Sequence, residues 1–328
     1  MSITQNLSFP EPLKINDTWD VLDSSKLNCF LKCPRKFFYR YLLGWEKEGD
    51  NHNIVFGSAW HQAMEQLLKI GYNRQGLEAG YESFLTTYRE FFSELTDSDY
   101  APKNPANALL ALSEYAQHWK NDNFEVLYQE ISGALPIDDE GTEIYFRLDN
   151  ILRDGDIIIS LEHKTSKYLQ SWWSDQWALA LQPALYTHVL FSLFEVEQVF
   201  GVKINGTFFK KTGNDFLRVP VRKTLAQMNS WFEELNLWVR LLKANMTQLA
   251  LSKTSDGYLA AFPKNPTACQ EYMKTCEYHN FCTAWPNPLQ RVDQIQVGFK
   301  ESFWDPRKMD KTNWNLKEGK LEKVNEIF

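Results

Sequence analysis

The sequence contains no run of about 18 or more uncharged apolar residues, which a membrane-spanning helix requires. Its first residues, MSITQNLSFPEPLKIND, also lack the basic and then apolar pattern of a signal peptide. We therefore expect a chain without a membrane span that works in the reducing environment of the cytoplasm. No internal repeat or low-complexity tract is present in the 328 residues, so we expect a globular protein with a substantial core.

An excess of basic residues is also missing, since the formal net charge is −7. This balance argues against a protein that coats nucleic acid without specificity. It is compatible with an enzyme that places its Lys and Arg residues along one groove. Carboxylates gathered around metal ions would themselves make the total charge more negative.

Cysteine is scarce, with five residues in the whole chain. In a reducing compartment such cysteines are expected to be metal ligands or free thiols rather than disulfides. Cys269, Cys276 and Cys282 lie together in CQEYMKTCEYHNFC, whereas Cys33 lies far upstream. The spacings lack the paired C-x₂-C of typical tetrathiolate zinc sites, although zinc stays an alternative. Cys29, one helical turn before Cys33, is an alternative upstream ligand.

The patterns that are present alternate between helix and strand. An amphipathic helix is predicted after Gly57, because apolar residues recur three and four apart from Trp60 to Leu68. Residues 1–22 are expected to form an N-terminal extension and 291–328 an extended tail without a regular period. Between them the sequence predicts a helical insert at about 70–125, strands near 125–131, 142–152, 156–164, 197–209 and 215–220, helices near 172–194 and 222–248, and a cysteine-rich segment at 266–285.

Two of the strands form a predicted hairpin that ends in charged residues. The dipeptide at 154–155, Asp-Gly, is a strong signal for a two-residue turn. With that turn Asp149 faces Ser160 and lies diagonally across from Glu162, with about 7–8 Å between the Cα atoms of Asp149 and Glu162. Side-chain alternation places Lys164 on the same face as Glu162. Two such carboxylates are able to share a divalent cation, but a surface hairpin with a solvated Glu and Lys remains the simpler alternative.

Several pieces of the sequence occur in an order that points beyond the hairpin. They are Cys33-Pro34-Arg35-Lys36-Phe37, Gly57 with His61 and Glu65, Asp149, Glu162-His163-Lys164, Gln182 with Tyr186, and Cys269, Cys276 and Cys282. Together they resemble the PD-(D/E)xK nuclease superfamily. Within it they resemble the RecB-like branch, which includes iron–sulfur exonucleases associated with CRISPR systems and with phages.

The resemblance implies a restriction-endonuclease-like α/β core over 23–290, with a mixed central sheet flanked by helices. It also implies phosphodiester hydrolysis with Mg²⁺ or Mn²⁺. Asp149, Glu162 and His61 would be the metal ligands, together with the backbone carbonyl of His163. Lys164 would be the catalytic ammonium.

Contacts with DNA are also implied by the resemblance. Gln182 and Tyr186 would line the site, although helix neighbours four apart equally suit a pair that contact each other. Pro183 places Gln182 at a helix start or a kink. Arg35 and Lys36, with the aromatic residues after them, combine charge and stacking surface as single-stranded DNA requires. A second basic cluster, which is otherwise a solvated face, comprises Lys210, Lys211, Arg218, Arg222 and Lys223.

Finally, the resemblance implies a structural [4Fe–4S] cluster that joins the N- and C-terminal segments through four thiolates. Its ligands would be Cys33, Cys269, Cys276 and Cys282. The expected function is a metal-dependent DNA exonuclease that acts on single strands or ends, with partners in recombination, repair or CRISPR adaptation. Two alternatives remain open: a catalytically silent subunit that binds DNA or recruits a partner, and a structure-specific endonuclease.

Overall fold

The computed structural model describes residues 7–138, 140–271, 274–308, 312–317 and 319–324. It confirms the predicted α/β class, because a mixed central sheet is flanked by helices. The chain divides into two compact units, each built from three segments. The first unit comprises Met1–Gly49, Ala134–Phe146 and Ala226–Asp310, and the second comprises Asp50–Gly133, Arg147–Leu225 and Lys311–Phe328.

Helices and strands follow the order expected from the sequence. The helices are α1 (Ser24–Lys32), α2 (Pro34–Phe37), α3 (His52–Ile70), α4 (Arg74–Arg89), α5 (Pro105–His118), α6 (Leu181–Leu193), α7 (Leu225–Ala250) and α8 (His279–Ala284). The strands are β1 (Leu22–Asp23), β2 (Trp45–Lys47), β3 (Glu125–Pro136), β4 (Glu143–Asp154), β5 (Ile157–Ser166), β6 (Val199–Phe208), β7 (Asp215–Val221), β8 (Gln270–Glu271), β9 (Lys274–Thr275), β10 (Phe299–Glu301), β11 (Trp314–Lys317) and β12 (Lys320–Lys323). None of the described helices is both long and apolar enough to cross a membrane.

Strand β5 lies inside the sheet of the second unit, whose strand order is β12-β11-β3-β4-β5-β6-β7. It runs antiparallel to β4 and parallel to β6. Its residues from Ile158 to His163 are buried, as expected for a strand with neighbours on both edges. Side chains carried by β5 are therefore held on a rigid element.

Helix α3 contributes the apolar face predicted from its spacing, but it begins at His52 rather than at Gly57. The Asn51 side chain accepts the backbone N–H of Asn53 and starts the helix. Gly57 lies inside the helix because its neighbours bury enough apolar surface to outweigh the low helix propensity of glycine. The predicted helical insert forms α4 and α5, which pack on α3 through a cluster that includes Phe56, Trp60, Met64, Phe84, Tyr88, Leu112 and Tyr115.

The β4–β5 hairpin differs from the predicted register by two residues. Leu152 pairs with Ile159 and Asp154 with Ile157, so Gly155 and Asp156 form the turn. Gly155 adopts a φ of 63°, a conformation that its missing Cβ makes inexpensive. Continuing this register places Asp149 opposite Glu162 instead of diagonally across from it.

The hairpin also contains a side chain that replaces backbone pairing. The Asn150 Oδ1 atom accepts the backbone N–H of Leu161 at 2.9 Å, and its Nδ2 atom donates to the Leu161 carbonyl at 3.0 Å. Asn150 is 1% exposed, so these two backbone groups are satisfied where water has little access. The amide therefore bridges the two arms directly beside Asp149 and Glu162.

The C-terminal tail contributes strands that the sequence analysis did not predict. Strand β11 pairs in parallel with β3, and β12 pairs antiparallel with β11. The Trp314 ring packs edge-on against Tyr128 with centroids 4.9 Å apart, and Leu316 is buried. Each strand has four residues, which is too short for apolar alternation to be visible in a charged segment.

Candidate active site

Three elements of the second unit bring His61, Asp149 and Glu162 together. His61 lies on α3, Asp149 in the middle of β4 and Glu162 on β5. One ligand atom from each residue lies within 4.8 Å of the others. The His61 Nδ1 atom is 3.0 Å from the Asp149 Oδ2 atom, which also accepts the backbone N–H of His163 at 3.4 Å. The side chains named from the sequence as metal ligands therefore converge.

The charges of these three side chains change one another's pKa values. Burial disfavours a charged His61 ring, but the charge of Asp149 and its hydrogen bond outweigh burial and raise the pKa of His61 to about 9. Burial likewise opposes ionisation of Asp149, yet the His61 partner keeps the pKa of this carboxyl well below its usual range. For Glu162, burial and then the neighbouring Asp149 charge raise the pKa. Two carboxylates this close favour a positive charge between them.

The donor set fits a divalent cation. The Glu162 Oε2 atom is buried and has no hydrogen-bond partner within the described ranges. A buried carboxylate oxygen without a donor is costly unless a cation or water approaches it. Oxygen ligands suit Mg²⁺, and an imidazole nitrogen makes Mn²⁺ acceptable as well.

Lys164 and Gln182 complete a network on the remaining oxygen of Glu162. The Lys164 Nζ atom lies 2.6 Å from Glu162 Oε1 and 2.8 Å from Gln182 Oε1. The Gln182 Nε2 atom donates to Glu162 Oε1 at 3.2 Å and to the Tyr186 hydroxyl at 2.8 Å. Helix α6 begins at Leu181, so the expected helix start at Gln182 is confirmed and Pro183 lies in the first turn.

The model of a family described as the PD-(D/E)XK nuclease superfamily matches residues 24–283. The chain belongs to the PD-(D/E)XK nuclease superfamily. Membership implies metal-dependent cleavage of nucleic acid by hydrolysis, and it agrees with the mixed α/β fold.

Comparisons with individual proteins add little to the superfamily assignment. A solved structure titled "Crystal structure of SSO0001" is similar at 17% identity, covering 49% of this chain and 70% of that chain with a TM-score of 0.24. No curated protein matches the chain at the threshold of significance.

Two tryptophans that the sequence analysis did not single out lie beside the candidate site. The Lys164 Nζ atom lies 5.9 Å from the centre of the Trp177 ring, whose face attracts a cation. The Trp173 ring packs against Gly206, the residue paired with Lys164 across β5 and β6. A Cβ atom on Gly206 would lie 2.4 Å from that ring, so any larger residue there would force the ring to move. The sequence signal was the tryptophan-rich stretch between β5 and α6.

An ion pair next to Asp149, between the buried Glu130 and the partly exposed Arg147, was also missed. Arg147 donates from Nε to the Glu130 Oε2 atom at 3.0 Å, and its Nη2 atom contacts the same oxygen. Burial and then the charge of Asp149 raise the pKa of Glu130 to about 7, against the opposing effect of Arg147. Glu130 has a φ of 50°, which is strained for a residue with a side chain and is frequent beside functional sites.

His163 has a ring that lies in a buried polar network. Its Nδ1 atom is 3.1 Å from the Asn205 amide, which also donates to the Tyr115 hydroxyl at 2.6 Å. Burial lowers the pKa of His163 to about 3, so the ring is neutral. The predicted role of this residue concerns its backbone carbonyl, and the buried ring fixes the strand that carries it.

The predicted DNA contact at Arg35 is wrong. Arg35 is 1% exposed, and its guanidinium donates to the carbonyls of Phe262 at 2.8 Å and Leu259 at 3.1 Å. Lys36 is partly exposed but pairs with Glu277 at 3.0 Å. The aromatic residues expected to stack on bases instead form core, since Phe37, Phe38 and Tyr39 are fully buried. A basic and aromatic pattern does not distinguish a DNA surface from a core in which arginine satisfies backbone carbonyls.

The second basic cluster is divided between paired and solvent-facing side chains. Arg218 forms two hydrogen bonds with Asp122 at 3.0 and 2.9 Å, and its guanidinium lies 3.7 Å above the Trp119 ring. Lys210 pairs with Asp215. Lys211 is exposed. Only part of this cluster is therefore available to a ligand.

The cysteines belong to the first unit and are partly buried free thiols. The Asn265 side chain donates to the Lys32 carbonyl at 2.7 Å, which ties the segment before Cys269 to the residue before Cys33. The Cys276 N–H donates to the Cys269 carbonyl at 3.0 Å. In the described part of the chain no three cysteine sulfurs lie within 4.8 Å of one another. The sulfur ligands of one tetrahedral zinc ion lie about 3.8 Å from one another, as the Zn–S bond length requires.

Proposed function

We propose that this superfamily member is a DNA exonuclease of the RecB-like iron–sulfur branch, acting on single strands or DNA ends. The observation that carries the proposal is the convergence of His61, Asp149 and Glu162 within 4.8 Å. Lys164 is hydrogen-bonded to the same Glu162 carboxylate, at 2.6 Å. A binding subunit that had lost catalysis would have no need to keep both the acidic pair and the lysine.

The roles of the residues follow from what phosphodiester hydrolysis needs. Mg²⁺ or Mn²⁺, held by His61, Asp149, Glu162 and the His163 carbonyl, would activate a water and offset negative charge on the phosphoryl oxygens. Lys164 supplies a further positive charge, which Gln182 holds beside Glu162. The buried Tyr186 hydroxyl orients the Gln182 amide.

The proposal includes a structural [4Fe–4S] cluster held by four cysteines. Its support is the thiolate chemistry and the contact between the Cys33 and Cys269 regions. The four ligands would be Cys33, Cys269, Cys276 and Cys282.

The test is digestion of end-labelled single- and double-stranded oligonucleotides with Mn²⁺. We expect progressive shortening by the wild type and a loss of about 10²-fold or more for Lys164→Ala or Glu162→Ala. The matched control is Lys69→Ala. Lys69 is exposed at the far end of α3, so this variant should cleave DNA as fast as the wild type. Wild-type turnover without Mn²⁺ or Mg²⁺, or full activity of both variants, would remove the proposed site.

The same assay separates the alternative functions. DNA affinity without turnover in Mn²⁺ would indicate a binding or recruiting subunit. Cleavage of a circular single strand as fast as its linear form would indicate an endonuclease, because an exonuclease requires an end.

A further inference from the structure

A cavity lies where two parallel strands of the second unit end together. Ser166, the last residue of β5, pairs with Phe208, the last residue of β6, and the Phe209 N–H donates to the Ser166 carbonyl at 2.8 Å. The residues that follow both strands, together with Pro102 and Asp215, line a partly open cavity of about 550 Å³. They include Lys167, Tyr168, Leu169, Gln170, Phe209, Lys210 and Lys211. Ligands of open α/β sheets bind at the carboxyl ends of parallel strands, and this volume lies in the range of small-molecule sites.

The charge of the cavity favours an anion. Lys167 and Lys211 have no ion-pair partner among the described residues, whereas Lys210 is neutralised by Asp215. Two unpaired ammonium groups around one cavity attract phosphate oxygens. The same cavity has an aromatic and apolar side, since Tyr168 is 68% exposed and Phe209 forms part of the lining.

The cavity begins three residues after the proposed catalytic lysine. Lys167 follows Lys164 by three residues and lies just beyond the end of β5, so the chain between them spans at most about 10 Å. Between them, Thr165 receives two hydrogen bonds from the buried Lys103 Nζ atom, at 2.9 Å to Oγ1 and 3.3 Å to its carbonyl. A polynucleotide whose phosphodiester lies at Lys164 therefore has its neighbouring nucleotides within reach of the cavity.

We propose that this cavity binds one nucleotide of a single DNA strand next to the bond that is cleaved. Lys167 and Lys211 bind its phosphate, and Tyr168 stacks on its base. An unpaired base is required, because a base inside a duplex has no free face for the tyrosine. The inference rests on the proposed function, whose substrate contact it specifies.

The experiment measures binding of a short fluorescein-labelled oligothymidylate by anisotropy, with EDTA present to withhold the divalent ion. For the Lys167→Ala/Lys211→Ala variant we expect Kd to rise about tenfold and the salt slope of log K to fall by about 1.4. Tyr168→Ala should weaken binding about tenfold, and Tyr168→Phe should retain it, because the ring provides the stacking. Lys211→Glu, at an exposed position, provides a second charge variant.

The matched control is Lys69→Ala/Lys120→Ala, which removes the same charge from exposed positions of the same unit outside the cavity. Equal Kd values for the cavity and control variants would overturn the inference. An equal loss of affinity for the duplex form would overturn the single-strand assignment. If the wild type binds the oligonucleotide through the cavity but does not cleave it in Mn²⁺, the proposed nuclease activity is overturned and the proposed binding cavity is retained. If the wild type cleaves and the cavity variants bind normally, the binding cavity is overturned and the nuclease activity is retained.

Discussion

At the scale of single residues, Gln182 connects the groups around Glu162. Its amide accepts from Lys164 and donates to both Glu162 and Tyr186. We expect Gln182→Ala to lower kcat by about 10²-fold, because the ammonium loses a partner and a small displacement is enough for that effect. The measurement is single-turnover cleavage of an end-labelled oligonucleotide in Mn²⁺.

The control for this prediction is Gln198→Ala, since Gln198 is exposed and belongs to the same unit. Oligonucleotide affinity in EDTA should change less than kcat if Gln182 positions Lys164. A loss of affinity as large as the loss of kcat would contradict the positioning role and favour direct contact of Gln182 with DNA.

The individual residues of the candidate site were its easiest part to identify from the sequence. His61, Asp149, Glu162 and Lys164 are recognisable because this chemistry restricts the residue types at a fixed order along the chain. Arg35 was misjudged because its burial depends on carbonyls more than two hundred positions away. Local composition contains no information about such a partner.

At the scale of an element, Asn150 holds together the two arms of the hairpin that carries Asp149 and Glu162. Asn150→Ala would leave the N–H and the carbonyl of Leu161 unpaired in a buried place. We expect the free energy of unfolding to fall by about 2–4 kcal/mol. Cleavage should fall as well, because Asp149 and Glu162 flank this bridge. Urea unfolding followed by circular dichroism measures the first effect.

Asn123→Ala is the matched control, because Asn123 is exposed in the same unit and should change stability by less than about 0.5 kcal/mol. An Asn150→Ala protein as stable as this control would show that water or backbone rearrangement satisfies Leu161.

The existence of the hairpin was predictable, but its register was not. The Asp-Gly signal fixes a turn to within a residue or two, and the chain uses Gly155 and Asp156 as the turn residues. The Asn150 bridge then sets which residues face each other near the site. A side chain that replaces backbone pairing has no periodicity, so no pattern in the sequence indicates it. The short strand β11 was not predicted for a related reason, since it pairs with distant residues of β3.

At the scale of the whole molecule, the proposed cluster would close most of the chain into one loop. Cys33 and Cys269 are 236 positions apart, and the proposed catalytic residues lie between them in sequence. A cross-link across so long a loop removes conformational entropy from the unfolded chain, so the cluster is expected to stabilise the fold. The two sulfur-bearing regions already meet in the first unit, through Asn265 and Lys32.

Replacing Cys33 tests this role, with Cys29→Ala as the control because both cysteines lie on the same segment. Anaerobically purified wild type should be brown, absorb broadly near about 400 nm and contain about four irons per chain. Cys33→Ala should lose most of the iron and unfold about 5–10 °C lower, whereas Cys29→Ala should keep both. The reverse result would make Cys29 the upstream ligand. Colourless wild-type protein with one zinc per chain would replace the cluster by a zinc site, while the predicted activity of the His61, Asp149 and Glu162 group would be unaffected.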